Sequence, residues 1–194
     1  AWSLLVAMIR ELPGRQWAPL RALAVIYADL FRGVAVLLVL LIIGLGLKRT
    51  GLPVLSEMTD FQASLLALTL SYGGYMSEVF RAGIHSVHPS QAAAARSLGM
   101  SWMQAFRRVV LPQATRNVVP PLLNGFISLQ KDTALVSVLG LLDGVNRAQA
   151  VSSYSASLAP YAGIALCFIV ITIPLTRLTD HLTARNRKKR LAGG

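Results

Sequence analysis

Residues 33–47 read Gly-Val-Ala-Val-Leu-Leu-Val-Leu-Leu-Ile-Ile-Gly-Leu-Gly-Leu, without one charged or hydrogen-bonding side chain. A helix made from such a run has no polar face to offer water, and a few more residues at either end make it long enough to cross hydrocarbon. Three further apolar blocks follow, Phe61 to about Gly83, Gln113 to about Val138, and Pro160 to Leu175. A fifth, Ala1 to Ile9, is about half the length a spanning helix needs. It has neither an initiating Met nor the basic start of a signal peptide, and reads as the inner end of a first helix truncated at the N-terminus. With 54% hydrophobic residues, 14% charged residues and a mean hydropathy of +0.56, the chain does not have the composition of an ordinary soluble domain. The expectation is an all-α membrane protein with five helices.

The net charge of +11 tests that expectation, since a basic chain can also be a nucleic-acid binder. Its distribution favours the membrane. Residues 10–33 carry Arg10, Arg15, Arg21 and Arg32 against Glu11 and Asp29, an excess of +2. Residues 78–117 carry +4 and the tail from Arg177 carries +5, which together account for the whole charge. The stretches between balance to zero, Lys48 and Arg49 against Glu57 and Asp60, then Lys131 and Arg147 against Asp132 and Asp143. Lys and Arg collect in short cytoplasmic loops, so the alternation places the three basic segments and the C-terminus inside. Residues 10–32 then form an inner connection that continues, as an amphipathic helix, into the next span. Lys48 to Asp60, broken by Gly51 and Pro53, and Gly140 to Ala159, Ser-rich at Ser152, Ser153, Ser155 and Ser157, become outer segments. The chain divides into a membrane domain, residues 1–177, with an inner loop at about 84–112, and a basic tail, residues 178–194, suited to anionic lipid.

That inner loop is a polar island between apolar blocks. Pro89 suits a first helical position, Ala92 to Ala95 propagate the helix, and Gly99 supplies a left-handed C-terminal residue. Ser101 and Gln104 form a capping box for a second short helix that ends at Pro112. Helix, tight turn, helix is also the plan of a DNA-binding unit, with Arg96, Arg107 and Arg108 available to phosphates. The membrane context argues against it.

Ala93, Ala94 and Ala95, then Gly99 after three intervening residues, then Val109, Leu111 and Pro112, resemble the Glu-Ala-Ala loop of ABC importer permeases. Tyr27 to Gly33, Phe106 to Ala114, Pro120-Pro121 and the Lys131 to Val138 stretch are similar to the polar amino acid uptake subfamily, over most of residues 23–180. Two positions depart from the pattern: Ala93 replaces the leading glutamate, and Ala35 stands where Pro commonly follows the Tyr-x-x-x-Phe-Arg-Gly stretch. The resemblance implies a type I importer permease core with a coupling helix that docks on an ATPase subunit through Ser90, Gln91, Ala93, Ala94, Ala95, Arg96, Leu98 and Gly99. It also implies a second permease chain, the same or paralogous, an extracytoplasmic substrate-binding protein, and a place in the plasma membrane of a prokaryote. ATP and Mg would be bound by the ATPase and no cofactor by this chain.

The chain's own residues agree that the energy comes from elsewhere, since no phosphate-binding Gly-rich loop, His-Glu metal motif or nucleophile elbow is present. Cys167 lies alone in an apolar run, and His85, His88 and His181 lack metal-ligand spacing. Polar residues do occur within two spans. Gly73 and Gly74 suit close helix packing. Ser71, Tyr75 and Glu78 share one helical face, as do Asn124, Ser128 and Asp132, and polar groups inside a membrane are costly unless they line a cavity. The expected substrate path is therefore Tyr75, Glu78, Asn124, Ser128 and Asp132. Glu78 could instead pair with Arg81, and Lys131 with Asp132 at the outer edge. A secondary transporter or a channel for small polar solutes would share the composition, although the two halves show no internal repeat.

Overall fold

The computed structural model is described over residues 2–12, 14–51 and 56–192, with side chains over the same residues apart from 48 and 186–192. Ala1, Pro53 and the basic side chains of residues 187–190, which figured in the sequence reading, lie outside the described residues. Within them the chain is helical, with no strand. The helices are α1 Trp2–Arg10, α2 Ala18–Gly33, α3 Val36–Leu41, α4 Asp60–His85, α5 Pro89–Ser97, α6 Trp102–Ala105, α7 Leu111–Asp132, α8 Gly144–Ser155 and α9 Ala159–Ala192.

The organising element is α4, against which α1, α2, α3 and α7 all pack. Its 26 residues span about 39 Å at 1.5 Å per residue. It begins at a capping box, in which Thr59 accepts from the Gln62 N–H and Gln62 accepts from the Thr59 N–H. Small residues let its neighbours approach closely. A Cβ on Gly74 would come within 3.3 Å of the Ala28 carbonyl oxygen of α2, and one on Gly83 would overlap Val118 of α7. The glycine pair at 73 and 74 thus serves packing, as its spacing suggested. On the far side Val39, Leu40 and Ile43 close over Ala63, Ala67 and Leu139 as the main apolar core.

Two sequence expectations are corrected. First, α2 does not continue into the next span: it stops at Gly33, and the chain turns by 105° before 36–46. Val34 and Ala35 are extended, which frees the backbone for the turn. Second, the second short helix does not end at Pro112. A π segment, Phe106–Val110, joins α6 to α7, and the Leu111 N–H reaches back five residues to the Phe106 carbonyl. The wider turn makes room for a proline ring that an α-helix would force against a carbonyl. Helix α7 runs through Pro120 and Pro121 and on as a 3-10 turn, Thr133–Leu139. The Ser-rich segment is helical over Gly144–Ser155. Asp143 caps α8 by accepting from the Asn146 N–H at 2.8 Å, and Ser153 and Ser155 donate to carbonyls four residues back.

By length and composition α9 is the one described helix able to cross a membrane, over Ala159–Arg185, and its most apolar stretch buries nothing against the rest of the chain. The pairs 15–33 with 36–46 and 102–139 with 144–155 qualify if each bent pair is one span. Helix α4 is long enough but carries too many polar groups to qualify, and those groups are the ones that matter below. Helix α9 passes Arg177 without a break.

Candidate functional site

Two polar regions stand apart from the apolar packing. The first is the hairpin made by α5, the Gly99 turn and α6. His88 caps α5, its Nδ1 accepting from the Ser90 N–H, and Pro89 occupies the first turn. Gly99 takes φ +85, and its N–H and that of Met100 bond back to the carbonyls of Arg96 and Ala95, closing the helix end. Ser101 and Gln104 then form the reciprocal capping box that the sequence predicts. Ala95 and Ala105 are buried where the arms meet. The remaining residues assigned to docking, Ser90, Gln91, Ala93, Ala94, Arg96, Leu98 and Gly99, are exposed, Leu98 to 81%. Sequence reasoning missed Trp102, which is 62% exposed and stacks on Phe106 with ring centroids 5.5 Å apart. Its four-residue spacing from Phe106 was the available signal.

The second region runs along α4. At its inner end Glu78 gathers three arginines. Arg10 of α1 donates to Oε2 at 2.7 Å, Arg81 reaches Oε1 at 2.7 Å, and Arg32 of α2 stands 3.7 Å from Oε2. Arg10 is the least accessible of these, its side chain 8% exposed. The expected Glu78–Arg81 pair is therefore present but is one edge of a cluster tying α1 and α2 to α4. About two turns beyond Glu78, His85 lies 2.9 Å from Glu11. A hydrogen-bond chain holds the same helices nearer their middle: Trp2 Nε1 donates to the Tyr27 hydroxyl, which donates to the Leu70 carbonyl at 2.7 Å.

Between α1, α4 and α7 lies a groove of ≈ 510 Å³ whose lining includes Thr69, Tyr72, Met76, Gly125, Leu129 and Thr133. Tyr72, midway along α4, donates its hydroxyl to Asp132 Oδ2 of α7 at 2.9 Å. Tyr72, outside the expected face, is thus what brings α4 to Asp132. Tyr75 is 50% exposed beside Gly125, whereas Asn124 and Ser128 are exposed on α7. Ser71 is buried, its hydroxyl oxygen without a hydrogen-bond partner. Among the described residues no three His, Cys, Asp or Glu side chains cluster as a metal site.

A mostly helical chain with apolar spans, an exposed hairpin and a groove between helices that holds a few polar groups has the build of a membrane transport component. Comparisons with known proteins sharpen that class. Residues 12–188 match the family described as binding-protein-dependent transport system inner membrane component. The probable glutamine ABC transporter permease protein GlnM of Bacillus subtilis is 36% identical over 171 residues, 88% of this chain and 77% of that protein. The arginine transport system permease protein ArtQ of the same organism is 34% identical over 151 residues, 77% of this chain and 68% of that one. The crystal structure of an amino acid ABC transporter with histidines superposes with a TM-score of 0.83 at 34% identity, covering 96% of this chain and 83% of that one. The chain belongs to the family of inner membrane components of binding-protein-dependent transport systems, the permeases of ABC importers. It is a transport component rather than a catalyst, and it resides in the membrane.

Proposed function

We propose that the chain carries an amino acid inward across the plasma membrane of a prokaryote, with the energy supplied by ATP and Mg on separate ATPase subunits. The observation that carries this reading is the hairpin of α5 and α6, a rigid, doubly capped unit whose outer surface lies open. Its exposed residues Ser90, Gln91, Ala93, Ala94, Arg96, Leu98 and Gly99 dock on an ATPase, and Ala95 fixes the hairpin from beneath. With Ala93 in place of a carboxylate, the contact rests on shape, apolar surface and the remaining polar groups. A second permease chain, the same or paralogous, completes the pore, and an extracytoplasmic binding protein delivers the solute. Tyr75, Asn124, Ser128 and Asp132 line the path, while Glu78 supports it through its arginines. The basic C-terminal segment faces the cytoplasm and anionic lipid. Named relatives that transport glutamine and arginine support an amino acid as cargo. ATP-driven closure of the ATPases moves the hairpins and shifts the pore between inward-facing and outward-facing states.

Replacing Gly99 tests the coupling. A Cβ there meets nothing within 4 Å, so the penalty comes from the left-handed backbone alone, about 1–2 kcal/mol for a side-chain-bearing residue. In proteoliposomes holding the full complex, Gly99→Val should keep membrane insertion and lose uptake driven by ATP hydrolysis. Wild-type uptake by this variant would argue against docking through the hairpin.

A further inference from the structure

Between Glu78 and Asp132 the sequence contains no Asp or Glu, and the α5–α6 hairpin lies wholly within that stretch. Its second arm leads into Arg107 and Arg108, both exposed and without an ion pair among the described residues. By contrast Arg10, Arg32 and Arg81 all share Glu78. Arg107 and Arg108 line one open hollow of ≈ 460 Å³ with Met103 and Gln104. Neighbours on an α-helix point about 100° apart, and the wider turn of the π segment narrows that angle, which helps both guanidinium groups reach the same space. Met103 and Gln104 stand closer to the Gly99 turn than the arginines do, so the hollow continues the exposed face of the hairpin. Beside it Trp102, stacked on Phe106, is 62% exposed, and Trp and Arg are among the side chains that most often carry the binding energy of a protein interface. A surface with two unmatched cations, no carboxylate and an open indole fits a protein partner that brings the negative charge.

We propose that Arg107 and Arg108 bind Asp or Glu side chains of the ATPase subunit, so that the second arm of the hairpin is the charged half of the docking surface and α5 the uncharged half. The assignment rests on the docking reading above and adds the chemistry of the partner's surface. A guanidinium pairs with a carboxylate through two parallel hydrogen bonds, which fixes orientation as well as supplying attraction. Ala93 fits the same picture, because a glutamate there would set a carboxylate on a hairpin that meets an acidic partner, and like charges at an interface oppose binding. Pairs at an exposed surface are screened by salt, over a distance that shrinks from about 10 Å at 0.1 M to about 3 Å at 1 M.

The test strips the ATPase subunit from the purified complex and measures its return to the permease by biolayer interferometry, at low and at high NaCl. The permease is held in nanodiscs of phosphatidylcholine alone or of phosphatidylcholine with phosphatidylglycerol. Wild-type binding should weaken with salt in both lipids. Arg107→Gln with Arg108→Gln should bind about ten-fold or more weakly at low salt in both lipids and converge on the wild type at high salt, a pattern that a misfolded protein cannot produce. Arg107→Lys with Arg108→Lys should regain most of the loss, since the charge returns without the fork. A lysine pair as weak as the glutamine pair would assign the effect to side-chain packing and overturn the proposal. Equal affinity and equal salt dependence in the wild type and the glutamine pair would overturn it while leaving docking through α5 in place. A defect confined to the phosphatidylglycerol nanodiscs would give the arginines to lipid phosphate instead. A wild-type permease that takes back no ATPase subunit in either lipid would overturn the docking reading and this assignment together.

Discussion

Glu78 shows what a single intramembrane carboxylate can hold together. It meets guanidinium groups from α1, α2 and its own helix, and the Arg10 side chain is 8% exposed. Removing one partner from so buried a pair leaves an uncompensated charge, at a cost of about 3–5 kcal/mol. Glu78→Gln should therefore lower the thermal midpoint of the purified complex by several degrees. The double variant Arg10→Met with Glu78→Gln should recover most of the loss, because an apolar replacement of a buried pair is often neutral. A double variant no more stable than Glu78→Gln alone would show that Arg10 carries little of the energy. The pairing was half legible in sequence. Arg81 stands three residues from Glu78 on the same helix, a spacing that can be counted, whereas Arg10 lies 68 residues away and is brought there only by the docking of α1. Tyr72, one of the polar residues of this span, was left off the expected path for a related reason. Helical periodicity groups residues along one helix but does not say which neighbour each face meets, so the face with Ser71, Tyr75 and Glu78 drew the attention that belonged to Tyr72.

At the scale of elements, the apolar blocks and the caps were readable because their causes are local. The Gly99 turn, the Ser101 and Gln104 box and the run of α4 depend on residues within a few positions of one another. The misread boundary at Pro112 involves a local breaker that its surroundings accommodate. Pro112 follows a π segment, and the serines of α8 satisfy themselves on their own helix. Interfaces between elements follow small residues, which gives a second prediction. A Cβ on Gly83 would overlap the Val118 side chain, so Gly83→Ala should destabilise the α4–α7 contact by about 1–3 kcal/mol, as overpacking does. Adding Val118→Ala should restore the amount of assembled complex extracted from membranes. Failure of this second substitution to rescue would place the strain elsewhere, at the Ala114 carbonyl oxygen 3.5 Å from the same Cβ.

For the whole molecule, charge sets orientation. The excess at 10–33, 78–117 and the tail, against the balanced stretches between them, predicts the hairpin inside and α8 outside. In a Cys167→Ser background, a membrane-impermeant maleimide should label Ser153→Cys in intact cells and Ser97→Cys only after permeabilisation, both sites being exposed on this chain. The reverse pattern would invert the topology and remove the hairpin from any cytoplasmic partner. The apolar surface of α9, with Val170 69% exposed, was legible as a span by composition, whereas α2, with Leu23 64% exposed, read as an inner connection. What composition could not provide was the 105° turn between α2 and α3.

The separation of Arg10 from Glu78 also bears on how the protein is made. At a synthesis rate of about 5–20 residues per second, the 68 residues between them take roughly 3–14 s to emerge. For that interval a guanidinium destined for a closed site has no counter-ion, and desolvating it alone is unfavourable. The newborn α1 must therefore wait at the lipid headgroups, and it can settle into place only once α4 has been threaded into the bilayer beside it.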